Sequence, residues 1–281
     1  MSKSIMDYNQ EKAILEFLGY PMARLSDDLM KKIDEHKKLY IDLSLYAKFM
    51  LTAFSLTKLL PVGETPQPNA AADIASVASL GRNLIEIYNF FYYLVMDEIT
   101  KEEAVFRQLV AFYHAEHEMQ KVGENMEVSA EELRMHKEKC IEKYKVKIEN
   151  HPVFKMMQPN IKKKILAGKS ATYLTRTEIT KKYCSKYNLL NALYRVMSNN
   201  VHSGLYSFKT SFSGSTYGCD NEQNRTKIAG MLYLVNYYIG LAAASILMRY
   251  PEDTNIFTTY FPNKEVFKTA GDLITTLIMR F

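Results

Sequence analysis

A run of twenty residues without a charged side chain, 229–248, constrains the fold of this chain more than any other segment. The run is long enough for a helix that crosses a membrane, and Lys227 and Arg249 flank it. However, Asn236, three tyrosines and several small residues lower its hydrophobicity, and no other segment has the composition of a membrane span. We therefore predict a buried helix in the core of a protein that does not associate with a membrane.

The rest of the sequence is also patterned as helices. Gly and Pro are scarce, at 11 and 8 of 281 residues, so long uninterrupted elements are expected. The spacing of apolar and helix-breaking residues predicts helices over about 4–18, 26–60, 71–97, 100–126, 129–150, 175–202, 222–249 and 263–279. The expected fold is all-α, with one helical domain that spans residues 1–281.

Capping residues mark several of the predicted helix starts. Thr100, Ser129 and Thr175 each precede a glutamate by three residues, which is the spacing of a capping box. Ser26 is followed by two aspartates, which favour the first turn of a helix. Residues 19–21 contain a glycine and a proline, and we expect the first helix to end there.

The net charge of +5 is unevenly distributed. From Glu131 to Lys186 the chain has 15 Lys and Arg residues against 6 Asp and Glu, and we predict a basic helical insert at about 127–175. A basic surface attracts a polyanion such as RNA, but a lysine-rich helix face that contacts only solvent has the same composition. The charge pattern leaves both interpretations open.

The cysteines and histidines indicate no metal site. Cys140, Cys184 and Cys219 are widely spaced and form no CxxC pair, which favours a reducing compartment, the cytoplasm, without disulfides or zinc. His114 and His117 are three residues apart on a predicted helix, where they are either two metal ligands or part of an exposed face. Partner ligands are not evident, so the exposed face is preferred. No P-loop, dinucleotide-binding or HExxH motif is present, and no cofactor is predicted.

A polar stripe near the end of the helix predicted at 175–202 is the main candidate site. Arg195, Ser198, Asn199 and His202 stand at positions i, i+3, i+4 and i+7, so they lie on nearly one line of that helix. Arginine binds phosphate oxygens in pairs, and histidine exchanges protons near neutral pH. The stripe is suited to holding or cutting a phosphodiester. The alternative is an ordinary helix end, where a late histidine and a following glycine form the cap.

A second polar stripe lies on the densely apolar helix predicted at 71–97. Its members are four or three residues apart: Arg82, Glu86, Asn89 and Tyr93. Charges on a buried helix are costly unless they are paired. Arg82 and Glu86 either neutralise each other as an i,i+4 pair or face another polar stripe across the core.

The Arg-x6-His spacing of Arg195 and His202 occurs a second time, at Arg107 and His114. The spacing by itself therefore proves little. The Arg107 copy lies in the middle of a charged, amphipathic helix. The Arg195 copy has a serine and two asparagines between its ends and a Ser- and Gly-rich loop, 203–221, after it, which gives a helix end open to a substrate.

The segments SLGRNLIEIYNFFYYLV and YRVMSNNVHSG resemble a broad group of largely uncharacterised bacterial all-helical proteins. These proteins pair an Arg-x3-Glu helix with a later Ser-x-x-Val-His. The group is similar to HEPN domains, helical bundles that include metal-independent ribonucleases with an Arg-x4–6-His motif. The resemblance covers about residues 70–250 and implies an HEPN-like bundle with additional helices. It transfers to Arg82, Glu86, Arg195, Ser198, His202 and, less directly, Asn199.

The resemblance implies a metal-independent endoribonuclease that acts as a homodimer in a toxin or anti-phage defence setting. His202 would be the general acid or base, and Arg195 would stabilise the phosphorane-like oxygens. Ser198 and Asn199 would orient the phosphate or the imidazole, and Glu86 with Arg82 would support them or supply a second acid/base group.

The sequence departs from the pattern of active HEPN ribonucleases at one position. Those enzymes usually have a polar residue directly after the arginine, and here that residue is Val196. The departure motivates an alternative function, a non-catalytic HEPN-like module that binds protein, nucleic acid or nucleotide.

Overall fold

The computed structural model describes residues 6–36, 41–67, 69–201, 218–253 and 258–281. These residues form an all-α fold, as predicted, and the extended pairing within them is a single bridge between Ala71 and Cys219. Contacts divide the chain into two compact units, which are Met1–Tyr92 with Thr180–Phe281, and Tyr93–Ile179. Whether the chain behaves as one domain, and whether the bundle is HEPN-like, stay predictions.

Twelve helices are numbered here in chain order within the described residues. They are α1 (Tyr8–His36), α2 (Ile41–Thr57), α3 (Ile74–Phe91), α4 (Lys101–Asn125), α5 (Ala130–His136), α6 (Glu142–Asn150), α7 (Pro152–Met156), α8 (Pro159–Leu166), α9 (Arg176–Tyr183), α10 (Tyr187–Val201), α11 (Glu222–Arg249) and α12 (Lys264–Ile278). Two π-helical turns, Tyr92–Met96 and Lys137–Ile141, follow α3 and α5, and a short 3₁₀ turn, Pro251–Asp253, follows α11.

Helix α11 is the core helix of the first unit. It contains the uncharged run 229–248 and packs against α1, α3, α10 and α12. By length and composition it could cross a membrane, but 72% of its most apolar window is buried inside the protein, so this is only a weak indication of a span. The predicted lack of membrane association stays a prediction.

A buried polar network joins α11 to both ends of the chain. The amide of Asn236 donates to the backbone carbonyl of Glu11 at 2.8 Å and to its carboxylate at 2.7 Å. The same carboxylate accepts from Arg280 at 3.0 Å, so the buried charge is paired. Because Glu11 lies in α1 and Arg280 follows α12, this network fixes both elements on α11.

A second buried pair holds the loop between α2 and α3. Arg225, near the start of α11, makes a bidentate contact with Asp220 at 2.7 and 2.8 Å, and both side chains are almost fully buried. The guanidinium also donates to four consecutive backbone carbonyls of residues 62–65. One arginine therefore supplies hydrogen-bond donors for the backbone carbonyls of a loop that has no secondary structure of its own.

Helix α1 continues through Pro21, so the predicted end near residues 19–21 is wrong. Its core side chains are spaced by three and four residues and form one buried stripe: Leu15, Leu18, Met22, Leu25 and Leu29. Burying each contributes about 1.5–3 kcal/mol, which together outweighs the roughly 3 kcal/mol cost of an internal proline. For the same reason Ser26 is a buried position inside α1 and not a helix start.

The predicted N-cap residues are confirmed at three helix starts, and the reciprocal bond of a full capping box, from the N-cap backbone N–H to the glutamate, is formed at Thr175. The hydroxyls of Thr100, Ser129 and Thr175 each accept from a backbone N–H three residues later. The helix that Thr175 begins nevertheless ends at Tyr183, and a new helix begins at Tyr187. The sequence merged α9 and α10 because apolar spacing continues across the break.

The second unit has its own core. Phe106 and Val110 of α4 pack with Ile148, Phe154 and Ile165, which come from α6, α7 and α8. The unit contains the predicted basic insert, 127–175, and begins earlier, because α4 supplies one side of this core. Residues 203–217 of the predicted Ser- and Gly-rich loop lie outside the described residues.

We predict that Arg225→Met strongly destabilises the protein. Methionine keeps most of the apolar stem but leaves the buried Asp220 carboxylate without its partner, which costs about 3–5 kcal/mol. Urea denaturation followed by far-UV circular dichroism measures the loss. Arg134→Met is the control, since the Arg134–Glu138 pair is exposed (68% and 62%) and its removal should cost less than about 0.5 kcal/mol.

The deficit in unfolding free energy of Arg225→Met, relative to the parent protein, should also depend on pH. The hydrogen bond from Arg225 holds the pKa of Asp220 below its ordinary value, against the opposing effect of burial. Such a carboxylate contributes stability that is complete above the unfolded pKa, about 3.9, and is lost as pH falls through the lower folded value. The deficit should therefore shrink below about pH 4. A deficit that stays constant down to about pH 2 would contradict the assignment.

Candidate functional site

Side chains of α3 and α10 meet in a polar cluster on the first unit. The cluster consists of Arg82 and Glu86 from α3 and Tyr194 and Ser198 from α10, and we call it the α3–α10 cluster. The second polar stripe predicted from the sequence thus faces a polar stripe on another helix, and the two charges also pair with each other.

Three side chains of the α3–α10 cluster are hydrogen-bonded to one another, and one of them also contacts the fourth side chain. Arg82 Nε lies 2.9 Å from Glu86 Oε1 and 2.8 Å from the Tyr194 hydroxyl. The hydroxyl in turn donates to the same Glu86 oxygen at 2.5 Å. Arg82 Nη1 extends the cluster to Ser198 Oγ at 3.4 Å.

Close packing of the two helices positions these groups. Gly81 precedes Arg82, and a Cβ at Gly81 would approach the Met197 side chain to 3.1 Å and Val235 of α11 to 3.3 Å. Met197 is fully buried, so α3, α10 and α11 are in tight apolar contact at this level. A Cβ at this position would require the Met197 and Val235 side chains to move by a few tenths of an ångström.

The cluster is partly exposed to solvent. The side chains of Arg82 and Glu86 are 29% and 45% exposed. Burial acts to lower the pKa of Arg82, but its contacts with Glu86 and Tyr194 outweigh that effect and leave the pKa above its ordinary value. Arg82 is therefore a fixed cation whose charge Glu86 largely neutralises.

Glu86 is poorly placed to act as a base in this arrangement. Its Oε1 already accepts hydrogen bonds from both Arg82 and Tyr194. Both lone pairs of that oxygen are therefore engaged, and it has none left to accept a proton from a substrate. The geometry favours an orienting role for the Arg82–Glu86 pair over a role in proton transfer.

The first predicted stripe is described only in part. Arg195 is exposed on α10, and no hydrogen bond or ion pair joins it to another of the described residues. Asn199 is half-buried, one residue beyond Ser198. His202 lies outside the described residues. Among the described residues, the two stripes are in contact through Ser198 and Arg82.

Val196 borders an apolar cavity of about 470 Å³ between α10 and α11. Met197, Met231 and Leu234 also line it, and Lys227 stands at its edge. Burial lowers the pKa of Lys227. The residue that departs from the HEPN pattern is thus part of an apolar wall on the side of α10 that faces α11.

The rest of the second stripe is structural. The Asn89 amide oxygen accepts from Thr180 at 3.0 Å and from Tyr183 at 3.1 Å, and its amide nitrogen donates to the Ile85 carbonyl at 2.7 Å. These bonds tie α9 to α3. Asn89 is 4% exposed and has no access to a solvent-borne ligand.

The second copy of the Arg-x6-His spacing is also structural. Arg107 is 2% exposed and contacts Asp97 at 2.7 Å, Glu103 at 3.1 Å and the Tyr93 carbonyl at 2.7 Å. His114 Nδ1 lies 2.9 Å from the Gly168 carbonyl. This arginine and this histidine stabilise the second unit at two separate places.

His117 packs against Gly168 as well, through close contacts of its ring. Burial is the main reason that its pKa is lowered. His114 and His117 therefore do not form the exposed helix face that the sequence favoured. They hold the turn after α8 against α4.

Tyr194 is the cluster residue that the sequence analysis missed. It contacts both charges of α3, and its ring also lies 5.5 Å from the Arg82 guanidinium carbon. A signal was present in the sequence, because Tyr194 and Ser198 are four residues apart and share a helix face. Aromatic residues at such spacing usually belong to the core, which hides the polar role of this hydroxyl.

These features define an all-α protein in which a half-exposed polar cluster joins two packed helices. A family model described as a family of unknown function, DUF5677, matches residues 70–220, which is more than half of the chain. The chain belongs to this family, in agreement with the predicted membership of an uncharacterised group. The matched segment contains all four residues of the α3–α10 cluster. No curated protein and no solved structure matches the chain.

We predict that Tyr194→Phe weakens the contact of α10 with α3. The variant removes one hydroxyl that bonds to two charged groups, and we expect a loss of about 0.5–1.5 kcal/mol in unfolding free energy. Thermal and urea unfolding measure it. Tyr187→Phe, also on α10, is the control, because its hydroxyl bonds to no other described residue. Equal effects of the two substitutions would contradict the cluster geometry.

Proposed function

We propose that this protein is an HEPN-like, metal-independent endoribonuclease whose site lies where α10 faces α3. The observation that carries the proposal is the contact of Arg82 with Ser198. It connects the oriented Arg82–Glu86 pair to the helix that presents Arg195 and leads toward His202. The proposal includes a relationship to HEPN domains and an RNA substrate. It also includes a cytoplasmic location and a role in defence or as a toxin.

The proposed reaction uses the RNA's own 2′-hydroxyl as the nucleophile. The 2′-oxygen bonds to the adjacent phosphorus, the bond from phosphorus to the 5′-oxygen breaks, and a 2′,3′-cyclic phosphate and a 5′-hydroxyl result. One proton leaves the 2′-hydroxyl and one is gained by the 5′-oxygen, and His202 takes part in this transfer as base or acid.

Arg195 supplies the positive charge for the phosphate in this mechanism. The charge of Arg82 is largely neutralised by Glu86, whereas Arg195 is exposed and forms no ion pair with a described residue. An exposed guanidinium can bind the phosphorane-like oxygens as their charge develops. Ser198 and Asn199 orient the phosphate or the imidazole, and Glu86 with Tyr194 holds Arg82 in place.

The test is an RNA cleavage assay in excess EDTA with untagged protein and both single-stranded and structured substrates. We expect cleavage by the parent protein and a 10²- to 10³-fold loss, on the order of one oxyanion contact, for Arg195→Ala. His202→Ala should abolish cleavage at an unchanged melting temperature. A 2′-O-methyl substrate should resist, because its nucleophile is blocked.

Arg24→Ala is the matched control, since Arg24 is an exposed arginine of α1 that lies outside the basic segment. Its activity should equal that of the parent protein. Cleavage that is unchanged in His202→Ala, or lost equally in Arg24→Ala, sinks the proposed mechanism.

The second candidate is a non-catalytic HEPN-like module that binds protein, nucleic acid or nucleotide. The observation that favours it is the apolar cavity beside Val196, where active HEPN ribonucleases have a polar residue. In that case RNA or a nucleotide is bound and released intact in the same assay. Because Glu86 is 45% exposed, its pairing contributes at most about 1 kcal/mol, so stability alone will not separate the two functions.

Homodimer formation belongs to the ribonuclease proposal, because HEPN sites are commonly built across a two-fold axis. Light scattering coupled to size exclusion chromatography measures the mass in solution. A chain that cleaves RNA as a monomer of 32.5 kDa would remove the dimer from the proposal and leave the chemistry intact.

A further inference from the structure

Three side chains with metal-ligand chemistry meet in the second unit. Glu116 of α4, His136 at the end of α5 and Cys140 in the following π turn each offer one donor atom, and these atoms lie within 4.8 Å of one another. The spacing of the cysteines does not predict a zinc site, because Cys140 has no second cysteine nearby. The structure brings its partners from the preceding turn and from another helix.

The hydrogen bonds of His136 prepare one ring nitrogen for a metal. Its Nδ1 lies 2.9 Å from the Gln120 amide oxygen, which can accept a hydrogen bond from an Nδ1–H. Its Nε2 lies 2.8 Å from Glu116 Oε2, on the side where Cys140 also lies. With the proton on Nδ1, Nε2 is the ring atom that can coordinate a metal beside Glu116 and Cys140. Metal-ligating histidines typically donate their other N–H to such an outer acceptor.

The backbone holds these ligands in register before any metal binds. His136 and Cys140 are four residues apart, and Glu116 and Gln120 are four apart on α4. Gly123 lets α5 approach α4, since a Cβ there would come within 2.8 Å of Leu133. The Ser129–Glu132 capping box fixes the start of α5.

We propose that Glu116, His136 and Cys140 bind one Zn²⁺ per chain, with water at the fourth position. Zinc bonds of about 2.0–2.3 Å in a tetrahedral site place ligand atoms roughly 3.3–3.7 Å apart, so small side-chain movements suffice. A thiolate and an imidazole exclude Mg²⁺ and Ca²⁺, which take oxygen ligands. Binding releases the thiol proton of Cys140 to solvent.

The half-buried position of the three ligands suits metal entry. His136 is 24% and Glu116 17% exposed, so the ion can reach the site from solvent and keep one water. The proposed RNA cleavage uses none of these residues, and the two proposals can fail independently. The competing arrangement is a direct hydrogen bond between His136 Nε2 and Glu116 with no metal.

The experiment is metal titration of untagged, chelator-treated protein. We expect one equivalent of Zn²⁺ by isothermal titration and a raised melting temperature, because a ligand that binds only the folded state stabilises it. Co²⁺ as the probe should give a thiolate-to-metal charge-transfer band and the strong visible bands of tetrahedral coordination. Cys140→Ser and His136→Ala should remove the bands and weaken zinc binding at least about 10-fold.

Cys219→Ser is the matched control, because it removes a half-buried cysteine of the other unit and should bind zinc like the parent protein. Glu116→Gln keeps the shape of the side chain and serves if a ligand variant fails to fold, which circular dichroism will show. Absence of a stoichiometric site in the parent protein overturns the proposal and supports the His136–Glu116 ion pair. Zinc binding that is equal in Cys140→Ser, or in Glu116→Gln where that variant replaces it, also overturns the proposal.

Discussion

The pairing of polar groups around the buried helix α11 is the constraint on which the rest of the first unit depends. An unpaired polar group in such a core costs about 1–3 kcal/mol, so each buried donor or charge needs a partner. Arg225 and Asn236 find theirs in distant parts of the chain, which are the loop 62–65 and Glu11 of α1. Glu11 in turn needs Arg280, beyond α12. A few hydrogen bonds and ion pairs therefore fix the positions of the elements around α11, while burial of apolar side chains supplies most of the stability.

The α3–α10 cluster obeys the same rule under different conditions. Its ion pair is half-exposed, where such pairs contribute little to stability, and the Gly81–Met197 contact already holds the two helices together. The fold thus does not need Arg82 and Glu86 in the way that it needs Arg225. Polar groups that packing leaves accessible, and that are still held in a fixed geometry, are suited to orienting a ligand. This difference between required and permitted polar contacts is the physical reason to look for function at α10.

The sequence predicted the fold class and the features that depend on neighbouring residues. The N-cap hydrogen bonds at Thr100, Ser129 and Thr175 are local, since donor and acceptor lie three residues apart, and all three occur. Features that depend on tertiary contacts were missed. Pro21 lies inside α1 because burial of a long stripe outweighs its local cost, and Tyr194 joins the cluster because α3 supplies both of its partners. At the site, the pairing of Arg82 with Glu86 was predictable, and its link to Ser198 was one of two open alternatives.

The two copies of the Arg-x6-His spacing show why the same sequence motif can have different roles at two places in one protein. Arg107 contacts two carboxylates and a carbonyl, so its charge is compensated inside the protein. Arg82 is opposed by one carboxylate, and Arg195 by none among the described residues. Arg195 is exposed on α10, although its spacing to a histidine is the same as that of the buried Arg107. The attraction of an arginine for an anion depends on whether nearby carboxylates compensate its charge and on whether solvent reaches it. The environment of each arginine therefore decides its role. Sequence spacing specifies which side chains share a helix face, and only the packing of other helices decides which of them stay charged and accessible.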